Sequence, residues 1–273
     1  MTILLKPLEL AWRGVNRARR ALYRAGLLKA KRLPRPVISV GSIAAGGAGK
    51  TPATIAIVRY LMSRGWTVAV LTRGYGRAGV GGRVEAPDAA KYGDEPVLIR
   101  KATGAEVVVG KNRHRSGLTV QCDVYVLDDG FQHLQLARDV DVVIDAEARW
   151  YREGRSALRQ ADFVIPRRMA LNVEALRGKR VFAFSGLADN EQFFASLRAA
   201  GAELSGTRSF EDHHRYTAED LAALRNATHD LLVTTEKDAV KIDDRDIIAV
   251  PATMEIEPAV LEAIEARIAR VGS

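Results

Sequence analysis

A run of small residues followed by a lysine and a threonine, Gly46-Gly47-Ala48-Gly49-Lys50-Thr51, could bind the phosphates of a nucleotide. Small residues let backbone N–H groups approach phosphate oxygens, and the N-terminus of a following helix adds a favourable dipole. The Lys50 ammonium would neutralise the β- and γ-phosphates, and the Thr51 hydroxyl would bind Mg²⁺. The consensus has glycine where this chain has Ala44, but strand, loop, lysine and helix agree. The segment predicts a P-loop that takes ATP and Mg²⁺.

Two adjacent acids, Asp128 and Asp129, follow the apolar run 124–127. In P-loop proteins an acid at such a strand end helps to hold Mg²⁺. Neighbouring carboxylates also repel each other, which a nearby cation would relieve. We therefore expect Asp128 to bind the metal ion and Asp129 to act at the catalytic centre. The alternative interpretation is that Asp128 and Asp129 are two solvated turn residues, but the presence of the P-loop argues against it.

The segments Gly93-Asp94-Glu95-Pro96 and Asp212-His213-His214 could supply proton transfer. A kinase needs a group that orients the acceptor hydroxyl and accepts its proton. Asp94 could serve, with a histidine from a facing lobe positioning it or tuning its pKa, and Glu95 is expected to join the metal site. Taken alone, the first segment is equally typical of a turn and the second of a surface loop, and the spacing does not show that they meet.

Two further motif matches carry less weight. The segment Gly74-Tyr75-Gly76-Arg77-Ala78-Gly79 matches a dinucleotide-binding pattern, but no apolar-periodic helix follows it, so we expect no dinucleotide site. The segment Thr235-Glu236-Lys237-Asp238 is similar to a guanine-binding loop. It lacks the residue that this motif requires between lysine and aspartate, so GTP specificity is not supported.

The elements that must position these residues alternate between strand and helix. Short apolar runs typical of buried parallel strands occur at 37–41, 66–72, 105–110, 123–128, 140–145 and 161–165. A helix from about Lys50 to Arg64 joins the first two runs. This pattern predicts an α/β fold with a P-loop NTPase-like, doubly wound, mostly parallel sheet over residues 36–172. A second, smaller α/β domain is expected over residues 173–273, with a final helix from about Pro258.

The formal net charge of +8 is concentrated in residues 1–35, which contain ten basic residues and the single acid Glu9. A DNA-binding domain normally carries its basic surface on the fold itself, so we expect no nucleic-acid partner. A basic arm that binds nucleic acid remains an alternative. The single cysteine, Cys122, excludes an intrachain disulfide and fits a reducing cytosol.

Residues 1–35 predict a basic amphipathic helix that ends before Pro34 and Pro36. Its apolar face consists of Leu5, Leu8, Trp12, Val15 and Leu22. A basic ridge beside that face consists of Arg13, Arg17, Arg20 and Arg24. The apolar residues are too interrupted for a bilayer span, which needs about 20 in succession, or for a signal peptide. Two interpretations remain: a helix in the interface of an anionic membrane, or a helix packed on its own domain with a solvated charged face.

In this order the motifs resemble those of the tetraacyldisaccharide 4′-kinases, the lipid A precursor kinases of Gram-negative bacteria, over almost the whole chain. The most specific part is the GGAGKTP of residues 46–52 together with the DDGFQH of residues 128–133. Further matching segments are 19–28, 36–41, 73–76, 93–96, 212–214 and 234–238.

The resemblance implies transfer of the γ-phosphate of ATP, with Mg²⁺, to the 4′-hydroxyl of an acylated glucosamine disaccharide 1-phosphate. It implies a peripheral protein on the cytoplasmic face of the bacterial inner membrane, with this lipid-linked substrate and no obligate protein partner. It also implies that Asp94 and His213 form the acid–base pair across two lobes, with the choice between His213 and His214 left open, and that Arg113 contacts phosphate.

Two departures from the family pattern accompany this resemblance. Ser42 and Ala44 stand where the family has Asn and Thr, and a stretch that looks unrelated, Trp150 to Leu158, stands where the family has Leu-Pro-Ala-Gly-Pro-Leu-Arg-Glu. The second departure concerns substrate-side contacts and leaves the nucleotide site untouched. An alternative function is a P-loop NTPase switch or metal-insertion protein acting on a protein partner, but the sequence lacks the Cys/His ligand spacing of a metal site.

Overall fold

The computed structural model describes residues 6–75, 77–79, 81–148, 150–227 and 230–272. The first part of the chain forms α1 (Lys6–Arg24), β1 (Val37–Ser42), α2 (Lys50–Ser63), β2 (Val68–Thr72), β3 (Gly82–Arg83), α3 (Ala89–Tyr92), α4 (Asp94–Thr103), β4 (Glu106–Val109), α5 (Arg113–Gly117), β5 (Val124–Asp128), β6 (Val140–Asp145) and β7 (Phe163–Pro166). Among the described residues these strands form one seven-stranded sheet of order β3-β4-β2-β5-β1-β6-β7. All of its pairings are parallel except that of β3 with β4.

The central strands explain why this sheet forms. Every residue of β1, β2 and β5 is buried, as expected for parallel strands covered by helices on both faces. Because β1 lies between β5 and β6, the loops after β1 and β5 meet at the carboxyl edge of the sheet, where α/β folds bind ligands. The predicted doubly wound, P-loop NTPase-like fold is confirmed.

The second part of the chain forms β8 (Met169–Leu171), β9 (Arg180–Ser185), α6 (Asn190–Ala199), β10 (Glu203–Ser209), α7 (Ala218–Ala227), β11 (Leu231–Thr235), α8 (Glu236–Ala239), β12 (Ile248–Val250), β13 (Ala252–Met254) and α9 (Pro258–Gly272). A parallel sheet of order β10-β9-β11-β12 has its own core, in which Phe184 and Phe194 are fully buried. Strands β8 and β13 pair as an antiparallel ribbon, which carries the chain from the first sheet to the second and back.

The last helix packs on the first sheet, although we expected residues 173–273 to form one smaller domain. Ile264 and Ile268 of α9 are buried in the same core cluster as α2 and the first sheet. The Glu265 carboxylate accepts hydrogen bonds from the Tyr60 hydroxyl at 2.8 Å and from Trp66 Nε1 at 3.1 Å. Residues 258–272 therefore belong with the first sheet, because the apolar face of α9 is buried there.

Helix α1 ends ten residues before Pro34, where we expected the basic helix to stop. Gly26 adopts a φ of 73°, a left-handed conformation that commonly terminates helices. The backbone N–H of Leu27 then donates to the carbonyl of Leu22 at 3.0 Å. The helix stops because this glycine C-cap precedes the prolines.

The side of α1 that faces the body is polar. Arg20, which we expected in the exposed basic ridge, is buried and pairs with the Glu153 carboxylate, with its Nη2 2.8 Å from Glu153 Oε1. The same Nη2 donates to the carbonyl of Phe131 at 2.9 Å. The Asn16 amide donates to the carbonyl of Arg152, also at 2.9 Å. The helix is therefore attached to the body through hydrogen bonds and an ion pair.

The apolar face of α1 is exposed. Trp12, Val15 and Leu22 keep 52%, 53% and 40% of their surface accessible, while Leu5 lies outside the described residues. None of the helices in the described part of the chain is long and apolar enough to cross a membrane.

Candidate active site

The P-loop follows β1 and leads into α2, as predicted. Gly46, Gly47 and Gly49 have φ values of 72°, 41° and 82°, a region that residues with a side chain rarely adopt. A Cβ atom on Gly49 would also lie 2.5 Å from Met254 Cε. Gly49 contributes no side-chain cap to α2, so the first N–H groups of this helix remain available to phosphate.

The two residues that depart from the family pattern stabilise the start of this loop. The Ser42 hydroxyl donates to the carbonyl of Ile144 at 2.8 Å and accepts from the Ala44 N–H at 3.1 Å. Ala44 is also paired with Tyr151 in an isolated bridge. The substitutions therefore leave the loop supported by hydrogen bonds.

A cavity of 820 Å³ lies over the P-loop, between residues of the first and second sheets. Polar residues of its wall include Lys50, Thr51 and Glu95, and apolar ones include Leu187 and Phe193. A concave site of this size with a few convergent polar groups is typical of small-ligand binding. Gly46, Asp128, Asp129 and Arg113 are absent from the described residues that line this cavity.

The acid pair at the end of β5 consists of Asp128 and Asp129. The Asp128 carboxylate is hydrogen-bonded to hydroxyl groups, whereas the Asp129 carboxylate contacts cations, among them Lys50. The buried Asp128 carboxylate accepts from the Thr54 hydroxyl at 3.1 Å and the Thr72 hydroxyl at 3.3 Å. Burial, together with the negative charges of Glu95 and Asp129, raises the pKa of Asp128 to about 7. A carboxylate in such surroundings is stabilised by a cation.

Asp129 has a φ of 53°, which is strained for a residue other than glycine. Its carboxylate lies 2.8 Å from Arg152 Nη1 and 3.8 Å from Lys50 Nζ. Burial would raise the pKa of Asp129, but these two cations outweigh it and hold the pKa below its usual range. Asp129 is therefore an anion that holds Lys50 beside the phosphate-binding loop.

Thr51, Asp128 and Glu95 together offer a hydroxyl and two carboxylates, the hard oxygen ligands that Mg²⁺ prefers. Burial, with the charge of Asp94, raises the pKa of Glu95 against the opposing effects of Lys237 and Lys50. In the part of the chain that the structure describes, no group of three or more His, Cys, Asp or Glu is arranged to hold a metal ion. Mg²⁺ commonly combines one or two carboxylates with substrate phosphates, so the residues present fit it.

Asp94 and His213, which are 119 positions apart, meet across the two parts of the chain. Asp94 begins α4 and is buried, and its Oδ2 lies 2.9 Å from His213 Nδ1. His213 has a φ of 61°, a strained conformation of the kind found at functional sites. His214 instead places its Nε2 2.9 Å from Asp220 Oδ2. The geometry thus pairs Asp94 with His213.

The electrostatic surroundings favour an ionised Asp94. Burial raises its pKa, but the hydrogen bond from His213 and the charge of Lys237 outweigh burial and lower the pKa below its usual range. The same hydrogen bond raises the pKa of His213 against burial and the repulsion of Lys237. At neutral pH Asp94 is therefore ionised.

A second cavity, of 880 Å³, has this pair in its wall. Its wall includes Tyr75, Asp94 and His213 together with Lys101 and Lys241. The Tyr75 ring lies 5.2 Å from the His213 ring. Glu95 lines the first cavity and Asp94 lines the second, so two consecutive residues of the chain contribute to the two spaces.

Arg113 lies close enough to Asp128 and Asp129 to interact with their charges. It is buried at the start of α5, and its Nη1 is 3.5 Å from His133 Nδ1. Its Nε has no hydrogen-bond partner among the described residues. Burial lowers the pKa of this arginine, opposed by the charges of Asp129 and Asp128.

Three residues at the site were missed by the sequence analysis. Tyr75 and Lys237 belong to the two motif matches that we set aside, and Arg152 belongs to the stretch that we considered unrelated to the family. That stretch contains Arg152-Glu153, the same dipeptide that ends the family segment, and this shared pair was the available signal. The Gln132 amide contacts this dipeptide, because it donates a hydrogen bond to Glu153 Oε1 at 2.8 Å.

Comparison with known proteins connects this site to a family. The family model described as tetraacyldisaccharide-1-P 4′-kinase matches residues 1–172 and 155–269. The tetraacyldisaccharide 4′-kinase of Acidovorax ebreus is 36% identical over 315 residues, covering 100% of this chain and 92% of that relative. The enzyme of that name from Anaeromyxobacter dehalogenans is 40% identical over 301 residues, covering 86% and 80%. The crystal structure of LpxK from Aquifex aeolicus in complex with ATP is similar, with a TM-score of 0.81, 27% identity and coverage of 100% and 99%.

Proposed function

Because the chain belongs to the tetraacyldisaccharide-1-phosphate 4′-kinase family, we propose that it phosphorylates the 4′-hydroxyl of an acylated glucosamine disaccharide 1-phosphate with ATP. This reaction is a step in lipid A biosynthesis. The observation that carries the proposal is that the Asp94–His213 pair lines the second cavity, while the adjacent residues Glu95 and Asp212 line the cavity over the P-loop. A γ-phosphate held over the P-loop would lie in the cavity that Glu95 lines, and an acceptor hydroxyl could reach Asp94 from the second cavity.

The reaction assigns a role to each group. The Asp94 carboxylate accepts the proton of the 4′-hydroxyl while His213 holds the carboxylate in place. The 4′-oxygen forms a bond to the γ-phosphorus as the bond from that phosphorus to its bridging oxygen breaks, and ADP leaves with the bridging oxygen. Lys50 neutralises charge on the β- and γ-phosphates, and Asp129 holds Lys50 in position.

Mg²⁺, held by Thr51, Asp128 and Glu95, would supply neutralisation of the triphosphate charge. Arg113, which lies close enough to both acids to oppose their charge, is proposed to contact phosphate when the nucleotide is bound. The nucleotide itself would contact backbone N–H groups of the P-loop through its phosphates.

The proposal includes peripheral attachment to the cytoplasmic face of the bacterial inner membrane. Support comes from α1, whose polar side packs on the body while Trp12, Val15 and Leu22 remain exposed. Arg17 and Arg24 are also exposed, and each basic residue near an anionic surface contributes about 1 kcal/mol. An exposed apolar face flanked by arginines is typical of a helix in a membrane interface.

The test is an assay with γ-labelled ATP, Mg²⁺ and the acylated disaccharide 1-phosphate in detergent micelles. Label should appear in the disaccharide, and Lys50→Ala should remove nearly all of this transfer because the γ-phosphate loses its bound cation. Lys179→Ala, at an exposed lysine of the second domain, is the matched control and should react like the unaltered protein. Release of inorganic phosphate without labelling of the disaccharide would refute the proposal and favour an NTPase switch.

A further inference from the structure

Lys237 lies on a turn that several hydrogen bonds fix, in the wall of the cavity over the P-loop. It lies in α8, directly after β11, and the Thr235 hydroxyl caps this helix by accepting from the Asp238 N–H at 3.1 Å. The fully buried Asp238 carboxylate also accepts from the Gly186 N–H at 3.0 Å and from Lys241 Nζ at 2.7 Å. These bonds fix the backbone of Lys237, so its side chain starts from a defined position.

The Lys237 ammonium lies within reach of both members of the proton-transfer pair. Its Nζ is 3.4 Å from His213 Nε2 and 3.8 Å from Asp94 Oδ2. Its nearest anionic partner is Asp212 Oδ1, at 3.0 Å. Only 19% of the Lys237 side chain is exposed, against 39% for Asp212. An ion pair with an exposed carboxylate contributes little, so a phosphate group with several negative charges could take the place of Asp212.

Lys237 lines the 820 Å³ cavity over the P-loop, here called the nucleotide cavity, together with Lys50 and Glu95. Both lysines act on Glu95, lowering the pKa that burial raises. Because Lys50 comes from the P-loop and Lys237 from the second sheet, positive charge enters this space from both parts of the chain. Lys237 is thus the described residue that both lines the nucleotide cavity and contacts Asp94 and His213.

We propose that Lys237 is a further catalytic residue. Its ammonium contacts the γ-phosphoryl group during transfer, on the side opposite to Lys50. This inference rests on the proposed kinase function. Charge in phosphoryl transfer spreads over the three equatorial oxygens, and a cation supplied by a separate element stabilises it. Lys237 keeps its proton throughout, so the bonds that form and break are those already given. The γ-phosphate would therefore be contacted by Lys50 from the first part of the chain and by Lys237 from the second.

The test compares Lys237→Met, which keeps the length of the side chain and removes its charge, with Lys237→Arg, which keeps the charge. The probes are MgADP alone and MgADP with aluminium fluoride, which mimics the transferred phosphoryl group, and their affinities are measured by calorimetry. We expect Lys237→Met to lose about 100-fold in affinity for the fluoride complex and in kcat, with ADP affinity changed less than about threefold. Lys237→Arg should recover part of both losses, and Lys179→Met should behave like the unaltered protein.

Two outcomes would overturn the inference. One is a Lys237→Met protein whose kcat and fluoride-complex affinity stay within about threefold of the unaltered protein. The other is a parallel fall in ADP affinity and thermal stability, which would make Lys237 a residue that shapes the cavity. If the unaltered protein fails to phosphorylate the disaccharide, the proposed function fails, whereas the affinities for the two probes still decide the role of Lys237.

Discussion

Replacing Arg20 with methionine should destabilise the protein strongly, even though Arg17 and Arg24 on the same helix are exposed. The Arg20 side chain is 6% exposed and its partner Glu153 is 4% exposed. Arg20 contacts both oxygens of the Glu153 carboxylate, donates to the Phe131 carbonyl and lies 4.0 Å from the centre of the Phe131 ring. After the replacement, Glu153 would keep its hydrogen bond from the Gln132 amide but would lose its cation.

The magnitude follows from this burial. Removing one partner of a buried ion pair leaves an uncompensated charge and costs about 3–5 kcal/mol. A typical domain has a free energy of unfolding of about 5–15 kcal/mol, so Arg20→Met should remove a large part of it. Combining Arg20→Met with Glu153→Met removes the unpaired charge as well. The double variant should therefore be more stable than the sum of the two single changes predicts.

The assay is urea unfolding followed by circular dichroism, with all four proteins of the double-mutant cycle compared at one pH. Arg17→Met is the matched control, because Arg17 lies on the same helix and is exposed. It should change the free energy of unfolding by less than about 0.5 kcal/mol. A cost below about 1 kcal/mol for Arg20→Met, or strict additivity in the cycle, would refute the reasoning.

Three further predictions concern proton transfer, membrane binding and pH. Asp94→Asn should lower kcat by about 10²–10⁴-fold and leave ATP affinity nearly unchanged; the reverse result would make Asp94 a binding residue only. Binding to anionic vesicles should fall steeply with added salt and weaken in Trp12→Ala, whereas salt-insensitive binding would contradict the role of the arginines. Burial, with Arg113 nearby, lowers the pKa of His133 to about 4, so the unfolded chain binds a proton near pH 6.5 that the folded chain excludes. The free energy of unfolding should fall by about 1–2 kcal/mol from pH 7 to pH 5 because His133 is partly exposed, and an equal fall in His133→Gln would contradict this cause.

The features that could be predicted from the sequence are those set by short segments. The P-loop is such a feature, because glycine at positions 46, 47 and 49 permits the positive φ values that the loop adopts. The buried strands are another, since continuous apolar runs of this length suit a parallel sheet. The resemblance added the pairing of Asp94 with His213, which spacing alone could not provide.

The features that could not be predicted depend on residues far apart in the chain. Arg20 and Glu153 are separated by 133 positions, and helical spacing assigned Arg20 to an exposed ridge because it cannot detect a distant carboxylate. Lys237 and Arg152 were missed for the same reason. The contact of Lys237 with Asp94 joins the two parts of the chain, and the contact of Arg152 with Asp129 joins two loops of the first part.

The ion pair of Arg20 also bears on how α1 could serve the reaction. A helix whose apolar face is reserved for a membrane cannot use that face to pack on its own domain, so polar contacts must orient it. Buried ion pairs often add little net stability compared with apolar packing, but the two-point contact of Arg20 with Glu153 fixes direction. Glu153 in turn accepts from Gln132, three residues after Asp129. If α1 lies in the membrane interface as proposed, this chain of contacts sets the orientation of the catalytic centre relative to the lipid surface that presents the substrate.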